Sequence, residues 1–321
     1  PGLSEISANT FYGCTQVESF VLPESIVMIG EGAFSQCVSL KKINIPRNIT
    51  VIPNEMVSGC RCLEGVLEIP EKVVSIGDSA FESCYRFTEL KLPQNLESIG
   101  REAFYGCSGL EGTLKLPEKL TSIGISSFYE CSRITGELIL PDKLEVLSYQ
   151  AFRGMGIESL VLGENVKSIG DGVIDKCSSL KRLTFRSQTP PDFSDIIDFF
   201  DGASNLEAIY VPQGTYTSYA DKIGRYTDAR IMEEGAGDFI ISGSILISYN
   251  GTDVEVEIPA GITEIGKSAF MKNTSLEKVI FCDGITKIGN NAFEGCFNLK
   301  EIINTEDLES IGDYGFSGCK V

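Results

Sequence analysis

The sequence predicts a repeat solenoid with a parallel sheet along its concave face and short helical or irregular turns elsewhere. A unit built on Ile-Gly, a later Phe and a later Cys occurs eleven times, in two runs within which the units are 22 to 24 residues apart. Each unit also carries a short segment of alternating apolar residues that usually ends at Pro. A repeat of this length is too short to bury its own apolar face, so it is stable only when it stacks on its neighbours.

Three apolar registers run through all eleven units. The middle register is Ile6, Ile29, Ile52, Ile76, Ile99, Ile123, Leu147, Ile169, Ile265, Ile288 and Ile311. Gly follows it in eight units, and an aliphatic residue stands three positions before it in every unit. Five positions after it is Phe, replaced only by Val57 and Ile174. Registers kept through eleven copies predict side chains that point into one shared interior.

The strand of each coil is predicted from segments such as LKKINIP (40–46), FTELKLP (87–93) and the one-residue-longer LEGTLKLP (110–117). Apolar alternation gives an inward and an outward face, and Pro ends the strand because it has no N–H to donate. Stacked in register, these strands form a parallel sheet. Ile-Gly predicts a sharp turn in which Gly tolerates positive φ. Ala-Phe-x-x-Cys leaves room for about a turn or two of helix, so we expect strand, turn, short helical piece, strand.

The full pattern, L-x-x-I-x-L-P-x-x-I-x-x-I-G-x-x-A-F-x-x-C, resembles the BspA-like leucine-rich repeats of bacterial surface proteins. It covers residues 1–185 and 237–321. The resemblance implies an α/β leucine-rich-repeat solenoid with an extracellular or cell-surface, adhesion-type role, and it names no ligand. The sequence contains no export signal and is interpreted as a piece of a longer chain.

The pattern divides the chain into two arrays. The first, 1–234, has eight units and a C-terminal cap at about 187–234, which covers the last coil. Within this cap LEAIYVP (206–212) predicts a strand, and residues 215–226 have a helical pattern. The second array, 235–321, has three units and opens with a β-hairpin (238–259). Two alternating apolar runs flank Asn250-Gly251, a strong turn dipeptide.

The charge of the chain excludes whole classes of partner. Twenty-seven basic residues against 45 acidic ones give a net charge of −18, and no basic run is present. Nucleic acids and anionic membrane surfaces both need a basic footprint, so we expect neither. We also expect no membrane insertion by this chain. Much of the acidic charge falls at predicted turns, where it favours solubility.

Nine of the eleven cysteines occupy one position, three residues after the Phe register. They are Cys14, Cys37, Cys60, Cys84, Cys107, Cys131, Cys177, Cys296 and Cys319. We interpret them as small buried hydrophobes beside the Phe, because side chains that point in parallel make relaxed disulfides unfavourable. Cys60-x-Cys62 is the closest pair, and it lacks the further ligands of a zinc site. We therefore expect no metal and no cofactor.

Catalysis is also disfavoured by the composition. The chain has no histidine, which excludes Ser/His/Asp triads and Cys/His dyads and removes the commonest general base. It contains neither a phosphate-binding loop nor a dinucleotide-binding glycine pattern. We therefore expect this chain not to be an enzyme.

What remains is the outward face of the predicted sheet. The residue between the last two apolar strand positions changes from coil to coil while the core registers hold, and we call this set the variable stripe. After Val21, it consists of Asn44, Glu68, Lys91, Lys115, Ile139, Val161, Thr184 and Tyr210. It is flanked by Lys42, Glu89, Thr113, Glu137, Ser159 and Arg182. Variation on a fixed core is typical of a recognition surface, although strand propensity also favours Ile and Val there.

Two functions fit this sequence. The first is a monomeric recognition module that binds a protein or glycoprotein through the concave sheet, with host extracellular matrix among the candidates. The second is a passive stalk or surface-layer component whose length matters and whose face does not. Substitutions in the variable stripe distinguish them, because only the first function depends on that stripe.

Overall fold

The computed structural model describes residues 2–193, 199–200, 202–224, 226–227, 229–234 and 237–321. They form a parallel-sheet β-solenoid of about 13 coils with almost no helix, which confirms the predicted fold class. The chain divides into two compact units, Pro1–Ile209 with Ser218–Ala229, and Tyr210–Thr217 with Arg230–Val321. Gly235 and Ala236 of the predicted joint, and residues 194–198 of the predicted cap, lie outside the described residues.

Each compact unit has its own line of short parallel strands, and together these are called the main ladder here; they are the sheet predicted from the Leu-x-x-apolar-x-apolar-Pro segments. The strands are Ser19–Phe20, Lys42–Ile43, Glu64–Glu68, Arg86–Lys91, Glu137–Ile139, Ser159–Leu162, Arg182–Phe185, Glu255–Glu257, Lys278–Ile280 and Glu301–Ile303. Corresponding residues pair in parallel, as Leu160 does with Leu183. The strands Ala208–Val211 and Arg230–Glu233 belong to the predicted cap, and the first confirms the strand expected at 206–212.

A second line of strands, the isoleucine ladder, runs where the sequence predicts only a turn. It consists of Glu5–Ile6, Met28–Ile29, Val51–Ile52, Ser75–Ile76, Ser98–Ile99, Ser122–Ile123, Val146–Leu147, Ser168–Ile169, Glu264–Ile265, Lys287–Ile288 and Ser310–Ile311. Each strand holds two residues, because the chain bends again directly after the Ile. Each coil therefore has two strand sides.

The glycine after the Ile is required by close packing, so the expectation of positive φ at this position is wrong. Gly100 does not have positive φ. Its N–H donates to the carbonyl of Ile76 at 2.8 Å, and a Cβ on Gly100 would lie 2.6 Å from the backbone N of Asp78. The other seven glycines of this register approach backbone atoms of the preceding coil as closely. A side chain here would push the coils apart.

At two positions where another residue replaces this glycine, the isoleucine ladder is also broken. Pro53 has no N–H to donate, and the strand before it, Val51–Ile52, does not pair with Met28–Ile29. At Ser148 the side-chain hydroxyl, instead of the backbone, donates to the carbonyl of Ile123 at 2.6 Å. The ladder is interrupted there as well.

The third side of each coil is an irregular turn and contains no helix. Backbone N–H groups in it alternate between two kinds of acceptor. Ser79, Phe81 and Ser83 donate to the next coil at 2.7 to 2.8 Å, while Glu82 and Cys84 donate three residues back at 3.2 Å. This alternation needs two residues with positive φ, and in this coil they are Ser79 (+50°) and Ser83 (+59°). Both positions have positive φ in all eleven units.

The interior is the one that the three registers predict. All their side chains are buried except in the first and last of the eleven repeats. The Phe rings stack along the axis, as in Phe81 against Phe104 with centroids 5.4 Å apart and planes 7° apart. Val57 interrupts this stack between Phe34 and Phe81.

The predicted cap and hairpin both contain their expected elements, with one correction. Helix α1 (Tyr216–Ile223) confirms the helical pattern at 215–226. The hairpin strands are Phe239–Ser242 and Ile245–Tyr249, so the turn is at Gly243-Ser244 and the prediction of a turn at Asn250-Gly251 is wrong. Gly243 has a φ of +61°, which a two-residue hairpin turn accepts with Gly first. The second strand then pairs with Glu264–Ile265, so the hairpin supplies a first coil for the units that follow.

Candidate ligand-binding surface

The variable stripe is exposed in its central part. Glu68, Lys91 and Lys115 are exposed, and Ile139 is 43% exposed despite being apolar. Glu68 and Lys91 are register partners on adjacent strands, so a negative and a positive side chain lie next to each other on the outward face. Lys91 also lies 3.7 Å from the carboxylate of Glu89. A pair this exposed contributes little to stability, so these charges are free to serve a ligand.

The stripe is not exposed along its whole length. Val161 and Thr184 are register neighbours next to Ile139, and they are only 6% and 4% exposed. They are short β-branched side chains in the continuous part of the sheet, where adjacent strands are about 4.8 Å apart and neighbouring side chains cover them. Both were predicted to contact a ligand, and in this structure their side chains are largely covered. Tyr210 is half-buried.

Asn44 has a structural role that the sequence did not reveal. Its amide oxygen accepts the backbone N–H of Leu22 at 2.7 Å, and its amide nitrogen donates to the carbonyl of the same residue at 2.8 Å. The half-buried side chain thus replaces the ladder bonds that a backbone neighbour would make. Both polar groups of Asn44 are used inside the protein.

In the first of the two compact units, the main ladder is interrupted three times. Each interruption comes where the next coil has one extra residue. The extra residue is a glycine with positive φ: Gly65 (+90°), Gly112 (+81°) and Gly136 (+75°). Glu64, just before the first of them, still donates to the carbonyl of Lys41 at 3.2 Å, and the ladder opens after the glycine. The insertion therefore lifts the following strand away from the preceding coil.

The interruptions leave backbone donors without ladder partners. In paired coils the N–H near the strand end donates to the next coil, as Ile69 does to Lys91 at 3.0 Å and Leu140 to Val161 at 2.8 Å. The equivalent N–H groups of Ile45, Leu92 and Leu116 make no such bond to any described residue.

Two grooves open at these interruptions, on the outward face. Groove 1 has a volume of about 600 Å³ and lies between the strands Lys42–Ile43 and Glu64–Glu68, with Asn44 and Glu68 in its lining. Groove 2, of about 490 Å³, lies between Arg86–Lys91 and the next coil, and its lining includes Lys91 and Lys115. Cavities of this size are in the range of ligand sites. Sequence reasoning missed both grooves. The feature that could have indicated them is the extra residue in the strand segments that contain Gly65 and Gly112.

The grooves differ in their chemistry. The floor of groove 1 is apolar and reaches core side chains, among them Phe20, Met56, Val57 and Phe87. Groove 2 is lined by residues 110–115, by the apolar residues Leu90, Leu92 and Ile134, and by charged residues including Glu111, which is ion-paired with Arg133. Groove 1 can therefore hold an apolar group, whereas groove 2 mixes apolar and charged residues.

The cysteine ladder is structural. The thiol of Cys107 donates to the carbonyl of Phe81 in the preceding coil at 3.1 Å. The same bond to the preceding coil is made by Cys37, Cys60, Cys84, Cys131, Cys177, Cys296 and Cys319. Burial raises the pKa of Cys107 to about 12, so at neutral pH this thiol is a protonated donor and a poor nucleophile. All eleven cysteines are free.

Metal-binding clusters and membrane-spanning helices are both absent from the described residues. Among those residues, no group of three or more acidic or cysteine side chains is placed to hold a metal ion. No helix found there is long and apolar enough to cross a bilayer.

Comparison with known proteins agrees with the coil geometry. The model of the BspA type leucine-rich repeat region matches six copies, over residues 4–135, 110–222 and 248–321. A leucine-rich repeat protein from Bacteroides ovatus is similar in structure, with a TM-score of 0.52 and 26% identity over 94% of this chain and 82% of that one. No curated protein matches the chain.

A second solved structure shares the fold alone. The pneumococcal vaccine antigen PcpA matches with a TM-score of 0.53 and 22% identity, over 73% of this chain and 60% of that one. The resemblance predicted from the repeat pattern is confirmed by the family match, which spans most of the sequence. The chain belongs to the BspA-type leucine-rich repeat family.

Proposed function

We propose that this chain is a non-catalytic recognition module, secreted or on the cell surface, that binds a protein or glycoprotein through the outward face of the main ladder. One observation carries the proposal: the ladder opens into two grooves on that face, and variable-stripe residues line both of them. Fixed core registers beneath a changing, charged and grooved face suit a surface that is adapted to a ligand.

The partner class follows from charge and shape. The chain carries a net charge of −18, which disfavours nucleic acid and anionic lipid. The face presents Lys91, Lys115, Glu68 and Ile139 close to the grooves. A mixture of both charges with apolar residues suits a protein surface, and host extracellular matrix glycoproteins are the first candidates. The resemblance to repeats of bacterial surface proteins supports a location outside the cell, and the module we propose acts there as a monomer. Residues 1–234 and 235–321 would form its two arrays.

The test is binding to a panel of matrix and serum glycoproteins, measured by surface plasmon resonance. We expect saturable binding to at least one of them, weakened on the order of tenfold by Lys91→Glu with Lys115→Glu and by Ile139→Asp. Lys143→Glu is the control, because Lys143 is exposed and lines neither groove.

The outcomes separate the two candidate functions. If binding is saturable but all stripe variants keep full affinity, the site is not on this face. If no panel member binds saturably, the passive stalk or surface-layer role is favoured. Circular dichroism of each variant checks that the solenoid is intact.

A further inference from the structure

The floor of groove 1 is the place where the aromatic stack lacks a ring. Phe11 and Phe34 stack with centroids 5.2 Å apart, and Phe81 and Phe104 do so at 5.4 Å. The coil between these pairs has Val57 in the Phe register. Val57 and Phe81 both border groove 1, and Val57 is only 1% exposed, so the floor of the groove closes directly over the place where the register lacks a ring.

The mouth of groove 1 has polar groups of the kind that bind an extended main chain. The Gly65 insertion separates the strand Glu64–Glu68 from Lys42–Ile43. The N–H of Ile45 lies at this opening and has no hydrogen bond to a described residue. Strand edges with unbonded groups are the usual docking place for an added peptide strand. The strand continues for three residues after Gly65, at positions 66–68, and this part is separated from the preceding coil.

The two sides of groove 1 carry opposite charges. Besides Glu24 and Lys41, which is ion-paired with Glu18, the earlier coil contributes Lys42 and Arg47, and the later coil contributes Glu64 and Glu68, so the earlier side is basic on balance. Neither Lys42 nor Arg47 is ion-paired to a described carboxylate, although the backbone N–H of Arg47 donates to the side chain of Glu24 at 3.0 Å. A bound segment therefore gains by placing an acidic group on one side and a basic group on the other.

We infer that groove 1 docks an aromatic side chain carried on an extended segment of a protein partner, with an acidic residue on one flank of the aromatic and a basic residue on the other. The inference rests on the proposed function, because it names the part of the ligand that this face receives. The aromatic ring lies on the groove floor above Val57 and packs against Phe20 and Phe87. A carbonyl of the segment accepts the N–H of Ile45.

Two variants block the groove in different ways. Val57→Phe fills the floor with the side chain that nine other units carry at this register. Val66→Trp covers the mouth from a position that is 49% exposed, where a larger side chain costs little stability. The matched controls are Ile174→Phe, at the other unit without Phe, and Val146→Trp, at a 54% exposed valine outside the groove.

The experiment uses random peptides displayed on phage and selected on the immobilised full chain. Selected peptides are then synthesised and titrated by fluorescence anisotropy. We expect them to contain Phe, Tyr or Trp between an acidic and a basic residue. Their affinity should fall at least about tenfold in Val57→Phe and in Val66→Trp, and stay within about twofold in the controls, because a buried aromatic anchor dominates such contacts. Val57→Phe should unfold at a midpoint close to that of wild type, and if it does not fold, Val66→Trp alone decides.

Several outcomes overturn the inference. These are no enriched peptide, enriched peptides without an aromatic residue, or affinities unchanged in both groove variants. Binding of oleate that Val57→Phe abolishes, without any enriched peptide, assigns the groove to a small apolar ligand instead. Self-association that Val66→Trp abolishes assigns it to a second copy of the chain. If a glycoprotein ligand is weakened by charge reversal at Lys91 and Lys115 but not by Val57→Phe, the proposed function stands and this inference fails.

Discussion

Replacing Gly124 by alanine should destabilise the first compact unit by about 3 kcal/mol. The added Cβ would lie 2.5 Å from the backbone N of Arg101, 2.6 Å from the carbonyl carbon of Gly100 and 2.8 Å from the Arg101 Cα. These are backbone atoms of the preceding coil, so no side chain can rotate away. The coils must separate, which strains the 2.9 Å bond from Gly124 to the carbonyl of Ile99. Overpacking of this kind costs about 1 to 3 kcal/mol, and an immobile neighbour places it at the upper end.

Gly112 supplies the matched control, because it needs glycine for the opposite reason. Its φ is +81° and a Cβ would meet nothing within 4 Å. A left-handed conformation costs about 1 to 2 kcal/mol for a residue with a side chain, and the lower entropy of the unfolded chain returns about 0.4 to 1 kcal/mol. Gly112→Ala should therefore cost about 1 kcal/mol. Gly112→Asn should cost less, since Asn tolerates this conformation.

The assay is guanidinium unfolding followed by circular dichroism and by tyrosine fluorescence. Coincident curves justify a free energy, because repeat arrays do not always unfold in one step. The contrast between alanine and asparagine carries the test. At Gly124 asparagine should be no better than alanine, since any Cβ collides. If Gly124→Asn is clearly more stable than Gly124→Ala, or if both glycine positions respond alike, the close-approach explanation is refuted.

Three further predictions concern polar groups inside the coils. Burial raises the pKa of Cys107 from 9.0 to about 12, so the stability that this thiol contributes is complete below pH 9 and is lost as pH rises towards 12. Denaturation at a series of pH values should give a shallower loss in Cys107→Ala, by up to about 1.4 kcal/mol per pH unit. Asn44→Ala should cost about 1 to 3 kcal/mol in chemical denaturation because Leu22 loses two bonds, whereas Glu68→Ala should stay within about 0.5 kcal/mol. Tyr219→Phe should cost about 1 to 2 kcal/mol by the same measurement, because the Tyr219 hydroxyl donates at 2.8 Å to a buried backbone carbonyl. A neutral result for Asn44→Ala or for Tyr219→Phe would contradict the hydrogen bond assigned to that residue.

The interior was predictable from the sequence because packing repeats at every coil. A buried position meets the same neighbours above and below, so its residue type recurs, and Ile99 or Phe104 could be assigned to the core from spacing alone. The outward direction of Glu68, Lys91 and Lys115 followed from strand alternation. These predictions depend only on periodicity, which one chain with eleven copies displays clearly.

The distances between coils were not predictable in the same way. Gly100 and Gly112 are both glycines near turns, and only the structure shows that one is needed for contact and the other for its conformation. The burial of Val161 and Thr184 depends on how closely their neighbours pack across strands. The hydrogen bonds of Asn44 bridge two coils at residues 22 positions apart, a relation that a strand pattern does not encode.

The one-residue insertions explain how a fixed core can carry a variable surface. The spacings between the aliphatic, Ile, Phe and Cys registers are constant in all eleven units, and the inserted glycines fall only after the Cys register, just before the outward strand or at its start. The shorter coil is altered at the same place, where Ile157 follows Met155 by two residues. The number of residues in a coil therefore varies only in the part that positions the outward strand, and the stacked registers stay undisturbed.

Deleting Gly65 tests this explanation directly. The shortened segment would have the spacing of LKKINIP, so the strand should return to the ladder and the N–H of Ile45 should find a carbonyl in the next coil, as Ile69 does at 3.0 Å. We expect slower amide hydrogen exchange at Ile45, measured by NMR, and loss of groove 1 with no loss of stability. Deleting Gly136 is the control, because it shortens a distant coil by the same amount. If the exchange rate at Ile45 does not change when Gly65 is removed, the insertion is not what holds the groove open.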